Sequence, residues 1–318
     1  MRVRSSVVLA AGTAVLAGSA LASAVTPAAA AARHLDAASG TALRVTGSVS
    51  SRSTYTPARL AALPQTTFRA TARKQRVTYS GVALTTVVQD AGPAYPALKN
   101  TRNKMLRMTV TVRGASGYTA TFAFGELLKD YGSHPAYLAV KQGGRPIAGG
   151  AELVVPGDRT TARWIHDVRQ VTVGIATAPA TSTRPAAGSP VKIIDGDRVV
   201  SLSAARLRKL PSRSFRISFS GMKGMESKKE AGPSLLAVLA AGGVQTNANT
   251  WVAATGADNY VATFTPDEQL VGGRELRLSL VQNDARLAQP RLVPAGDFYG
   301  DRYVSGVVDL YVGTGPAE

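Results

Sequence analysis

The sequence predicts an α+β protein built of two tandem strand-rich domains, and three observations carry that expectation. Segments recur in the same order, period-two apolar alternation dominates, and helical patterns are few and short. Thr56-Pro-Ala-Arg-Leu-Ala-Ala-Leu-Pro64 returns as Ser203-Ala-Ala-Arg-Leu-Arg-Lys-Leu-Pro211. Gly114-Ala-Ser-Gly-Tyr-Thr-Ala-Thr-Phe122 returns as Gly256-Ala-Asp-Asn-Tyr-Val-Ala-Thr-Phe264, and Val155-Pro-Gly-Asp158 as Val293-Pro-Ala-Gly-Asp297. The second copies lag by 147, 142 and 138 residues. A drifting offset is what short insertions and deletions leave in a duplicated unit.

Strands are expected where Leu106, Met108, Val110 and Val112 alternate with Arg107, Thr109 and Thr111. The same holds where Tyr118, Ala120, Phe122 and Phe124 alternate with small or polar residues, and at Val171, Val173 and Ile175. Such alternation with β-branched and aromatic residues fits half-buried strands. Helices are expected over Pro57–Leu63, Ala83–Ala91, Phe124–Tyr131 and Pro233–Ala241. Pro64 and Pro211 end their helices, because proline disfavours the helical conformation in the residue before it.

The first 32 residues read as a secretory signal: Arg2 and Arg4, an apolar run from Val7 to Leu21, then small residues ending in Ala29 to Ala32. The run is broken by glycine and serine and is short for a bilayer span, so cleavage leaves no membrane segment. Arg2 and Arg4 are not adjacent, which points to a Sec-type rather than a twin-arginine route. The expected organisation is a signal over 1–32, a flexible stretch over 33–42, one domain over 43–175, a linker over 176–190 rich in Ala, Thr, Ser and Pro, and a second domain over 191–318. The expected location is secreted or wall-associated.

The chain has no cysteine, which excludes disulfides, thiolate metal sites and cysteine nucleophiles. Its formal charge of +17 becomes +15 once Arg2 and Arg4 are removed. A field of that sign attracts polyanions, so an anionic small molecule or a cell-wall polyanion is the expected partner. A dedicated nucleic-acid surface is not expected, because aromatic residues are 6% and do not interleave the basic clusters. His34, His134 and His166 lack metal-ligand spacing and a neighbouring carboxylate pattern. Ser80 lacks the flanking glycines of a nucleophile elbow. Loop packing accounts for Met222 and Met225.

One ordered set of segments resembles the molybdopterin-binding domain of the sulfite oxidase family. It runs from Tyr79-Ser-Gly-Val-Ala-Leu84 through Gly114–Tyr118, Ala136–Ile147, Glu152–Gly157 and Arg163-Trp-Ile165 to Val168–Val173. The second copy keeps Tyr260, Pro294-Ala-Gly296 and Arg302-Tyr303. The resemblance implies sulfite oxidase-like folds, molybdopterin as a possible cofactor, and Arg163, Trp164, Tyr118, Arg302 and Tyr260 as cofactor-binding candidates. A guanidinium suits phosphate by donating two hydrogen bonds to it; the competing expectation stacks Arg163 on Trp164 or pairs it with Asp158 inside the fold. The family's metal-binding cysteine is missing, with Thr71-Ala-Arg-Lys-Gln and Ser218-Phe-Ser-Gly-Met-Lys where it is expected. Metal ligation by cysteine is thereby excluded, and no catalytic residue is assigned. The expected function is a secreted, non-catalytic binding or scaffold module for an anionic ligand or envelope partner. The alternatives are a molybdopterin-dependent oxidoreductase lacking the cysteine ligand and a basic structural wall protein.

Overall fold

A computed structural model describes residues 41–72, 75–98, 100, 102–177, 186–221 and 224–317. The expected signal over 1–32, residues 33–40 and positions 178–185 of the expected linker lie outside the described residues.

The first half runs β1 (Leu43–Gly47), β2 (Ser53–Tyr55), α1 (Pro57–Ala62), β3 (Gln65–Ala72), β4 (Gln75–Ala83), α2 (Leu84–Asp90), β5 (Met108–Gly114), β6 (Thr119–Ala123), α3 (Phe124–Leu127), β7 (Tyr137–Gln142), β8 (Arg145–Pro146), β9 (Glu152–Val154) and β10 (Val168–Ile175). The second runs β11 (Val191–Asp195), β12 (Arg198–Leu202), α4 (Ala204–Arg208), β13 (Ser212–Gly221), β14 (Gly224–Pro233), α5 (Leu235–Ala241), β15 (Thr250–Gly256), β16 (Val261–Phe264), α6 (Pro266–Leu270), β17 (Leu276–Gln282), β18 (Ala285–Pro294) and β19 (Val307–Thr314). The molecule is strand-rich, with short helices and four sheets.

Strand order repeats between the halves. One sheet of the first half is ordered β2-β1-β10-β5-β6; its counterpart is β12-β11-β19-β15-β16. Each half adds a sheet built on a long hairpin, β3-β4-β7-β8 with β9 beside β7, and β13-β14-β17-β18. Alternation sends Val45, Val110, Val112, Phe122, Val171 and Val173 into one apolar core, and Ile193, Val252, Phe264 and Leu310 into another. The helix starts also match. Arg59 N–H donates to Thr56 Oγ1 at 3.2 Å, and Arg206 N–H donates to Ser203 Oγ at 3.2 Å, satisfying one orphan donor each.

Gly81 on β4 and Gly232 on β14 play one role twice. A Cβ at Gly81 would collide with the Leu138 carbonyl of β7, and one at Gly232 with the Leu278 carbonyl of β17. Only a bare Cα lets the neighbouring strand approach. Gly81→Ala is expected to cost about 1–3 kcal/mol, read as a lower urea midpoint with an unchanged slope. An unaltered midpoint would show that β7 can move away freely.

The structure corrects four boundaries. The Phe124 helix stops at Leu127, where Leu128 is extended, rather than at Tyr131. The Pro233 helix begins at Leu235, because Ser234 caps it and Pro233 still belongs to β14. The strand expected from Leu106 starts at Met108, after a 3₁₀ turn over Lys104–Arg107, and the one expected from Tyr118 spans Thr119–Ala123. Arg107, Thr109 and Thr111, read as solvent-facing, are 4%, 0% and 6% exposed. The second half covers them: Arg107 Nη2 donates to the Asn259 carbonyl at 3.2 Å, and Ala317 N–H donates to Thr109 Oγ1 at 2.9 Å.

Candidate functional site

The described residues belong to one compact unit, and its two halves meet around a duplicated ion cluster. Phe122 and Phe264 lie at the C-terminal ends of the equivalent strands β6 and β16, within one residue of each end, and four residues later Glu126 and Glu268 project from α3 and α6. Asp158 and Asp297 stand five residues before Arg163 and Arg302. Arg163 donates from Nε to Asp158 Oδ2 at 2.9 Å, from Nη2 to Asp158 Oδ1 at 2.5 Å, and from Nη1 to Glu126 Oε1 at 2.6 Å. Arg302 Nη2 donates to both Glu268 oxygens at 2.8 and 2.7 Å, and Nη1 reaches Asp297 at 3.4 Å. Each guanidinium also lies over a ring, Arg163 over Phe122 at 4.8 Å and Arg302 over Phe264 at 5.1 Å.

The two clusters join across the halves. The Arg302 side chain packs against Gly125, Gly272 lies close to Arg163, and Arg159 N–H donates to the Val271 carbonyl at 2.9 Å. Arg274 approaches Asp297 at 3.7 Å and Glu268 at 4.0 Å while donating to the Gly132 carbonyl of the first half. Burial, followed by the Glu268 charge and against the pull of Arg163, pushes the Glu126 carboxyl up to about 7. Burial raises Asp297 to about 6. For Asp158, hydrogen bonds from His134 and Arg163 outweigh burial and hold the carboxyl below its usual range.

The other three candidates are also engaged. Tyr260 is 4% exposed; its hydroxyl donates to the Asp301 carbonyl and accepts from Asn103 Nδ2 at 3.4 Å. Tyr118, 47% exposed, makes the equivalent bond to the Ala162 carbonyl at 2.6 Å. Both phenols tie down the loop that delivers the arginine. Trp164 is buried against Tyr79 and donates from Nε1 to the Val155 carbonyl at 3.2 Å. The structure therefore brings Arg163 and Arg302 to one inter-half cluster, leaves Trp164 in the first core, and uses both tyrosines as loop ties.

These residues do not fit a pterin phosphate. Both guanidinium groups are fully buried and already oppose Glu126, Asp158, Glu268 and Asp297, so a phosphate would have to enter beside four carboxylates. The donor set offers no thiolate, the ligand type suited to a soft redox metal. The expectation that these arginines bind a cofactor gives way to the competing one, internal pairing, because fixed carboxylates occupy their donor forks. Two histidines also find carboxylates that local spacing did not show: His134 Nε2 lies 2.8 Å from Asp158 and His166 Nδ1 3.2 Å from Glu152. Among the described residues no group of three or more His, Asp or Glu could hold a metal. Likewise none of their helices is long and apolar enough to cross a membrane.

An open polar groove of about 550 Å³ lies on the outer face of the first half's five-stranded sheet. Of its lining, Thr172 and Thr111 stand in one register row across β1, β10, β5 and β6, between Thr46 and the fully buried Thr121. The next row is Arg44, Gln170, Arg113 and Thr119. Gln170 Nε2 donates to Thr172 Oγ1 at 2.9 Å and Thr46 Oγ1 at 3.1 Å; the Thr111 and Thr121 hydroxyls pair at 2.9 Å. Asn247 and Asn249 of the second half close one wall, and among the described residues no carboxylate lines the groove. At equivalent positions of the second sheet the threonine row reads Ile194, Tyr311, Ala253 and Thr263. The scaffold thus accepts apolar residues at two of the four positions, and the first half alone carries threonine at all four.

No protein-family model and no curated protein matches the chain. Among solved structures it is similar to the sulfane dehydrogenase SoxCD from Paracoccus pantotrophus, at 15% identity and a TM-score of 0.34, over 80% of this chain and 64% of that one. The chain thus spans less than two thirds of that protein, and a likeness of this size carries no argument about activity.

Proposed function

We propose that the protein is an exported, non-catalytic binding module of two tandem sulfite oxidase-like domains, and that its ligand is an acidic, polyhydroxylated molecule such as an envelope glycan bearing carboxylates. The observation that supports this reading is the groove itself. Ordered hydroxyl and amide groups match the donors and acceptors of a sugar ring. Exposed Arg113 supplies a cation to the groove, Arg44 stands further along the same row, and no acidic side chain is among the described residues that line it. The first half's buried arginine, by contrast, serves to join the halves. Export by a Sec-type route would place the groove where such polymers occur, and the net positive charge would concentrate them.

Titration of the purified chain with oligouronate against neutral dextran of equal length tests the reading. Oligouronate is expected to bind, with affinity falling as salt rises because the cations are exposed. Arg113→Ala should weaken it about tenfold, the loss of one charge-assisted hydrogen bond, and Thr172→Val should weaken it less. Equal binding of dextran, or an undiminished Arg113→Ala, would defeat the proposal.

A further inference from the structure

The second half carries a separate cavity of about 160 Å³ between α4, the β14–β17–β18 sheet and the Gly188-Ser189 segment. Its walls are mostly apolar, with Leu207 from α4, Leu280 and Val281 from β17 and Leu287 from β18, while Ser189, Ser212 and Gln289 add polar groups. Arg208 and Arg286 line it as well and are exposed, and neither has an ion-pair partner among the described residues. Their basic neighbours are engaged: Arg206 Nη2 donates to the Ala241 carbonyl at 2.9 Å, and Arg213 faces Glu275 at 3.4 Å.

The first half shows that the fold does not require these two charges. Thr56–Pro64 aligned on Ser203–Pro211 sets Ala61 opposite Arg208. In the hairpins, Pro146 pairs with Lys141 where Arg286 pairs with Val281, which makes Pro146 the counterpart of Arg286. Two unpaired cations have thus been placed at an apolar cavity only in the second copy. A void of this size accommodates a benzene-sized group, or about six carbons of aliphatic chain. We infer that this cavity is a binding site for a free short-chain carboxylate, its chain against Leu207, Leu280 and Leu287 and its carboxylate held by Arg208 and Arg286.

Calorimetric titration of the full chain with straight-chain carboxylates from butanoate to decanoate, and with the matching primary alcohols, tests the site. Affinity is expected to rise about fourfold per methylene up to about six carbons and then level off. Each carboxylate should exceed its alcohol by about tenfold. Arg286→Ala should remove that advantage while keeping the chain-length slope; Leu287→Trp, which fills the cavity, should remove the slope. Arg113→Ala in the groove should change neither. Absence of a chain-length slope, alcohols as strong as acids, or loss of binding in Arg113→Ala would each overturn the inference.

Discussion

Arg163→Ala is expected to lower stability by about 3–5 kcal/mol, the cost of removing one partner from a buried ion pair. In a chain of this size that corresponds to a melting temperature lower by about 10 °C. The magnitude follows from what is left behind. Arg163 alone satisfies Glu126 Oε1 and shares Asp158 with His134, and both carboxylates have fully buried side chains. Alanine would strand the Asp158 charge, leave the Glu126 carboxyl without its donor beside Glu268, and open a cavity under Phe122. Replacing partners together, Arg163→Met with Glu126→Leu, should cost much less, because apolar groups of similar volume need no counter-charge. Thermal unfolding of the single and paired variants decides the matter. A loss below about 1 kcal/mol for Arg163→Ala would mean the arginine behaves as a surface ion pair and leaves it available to a ligand.

Stability is expected to be greater near pH 5 than near pH 7.5, the reverse of a fold held by carboxylates with depressed pKa. Glu126, lifted from 4.5 to about 7, and Asp297, lifted from 3.8 to about 6, hold protons in the folded state that the unfolded chain releases. Their contribution is complete below the unfolded values and is lost as pH rises through the folded ones. Asp267, Glu152 and Asp309 are raised by burial and act in the same direction. Asp158 acts oppositely: its carboxyl is depressed, so its contribution disappears as pH falls through its folded value. The optimum should therefore lie on the acid side of neutrality. The decline toward pH 7.5 should be on the order of 2 kcal/mol. Urea midpoints across pH 4.5 to 8 measure it, and Glu126→Gln should flatten the profile. A midpoint that climbs toward pH 7.5, or an unchanged slope in Glu126→Gln, contradicts the assignment.

Much of this architecture could be read from local pattern. Alternation at Val110, Val112, Phe122, Val171 and Val173 identified buried faces because a strand's period of two is a property of the backbone. The ends of the helices before Pro64 and Pro211 were visible because proline restricts the residue that precedes it. The candidate site was less legible. Arg163 and Arg302 stood out as a repeated pair, and Asp158 was one of two expected partners of Arg163, the other being Trp164, both close to it in the chain. Glu126 and Glu268 were missed, although each stands four residues after a repeated Ala-Thr-Phe segment. That recurrence was the available signal; what concealed it was a separation of 37 residues between Arg163 and Glu126.

The groove was not legible at all. Thr46 and Thr172 are 126 residues apart and touch only because β1 lies parallel to β10. The sequence by itself determined the apolar strand faces at Val110, Val112, Phe122, Val171 and Val173, and that no thiolate is available to a metal, since each depends on composition or near neighbours. Tertiary structure alone decided that the repeated arginines are enclosed by carboxylates at the contact between halves, and that threonines from four strands share one face. Charge pairing and strand register act between residues distant in the chain, and those distances close only on folding.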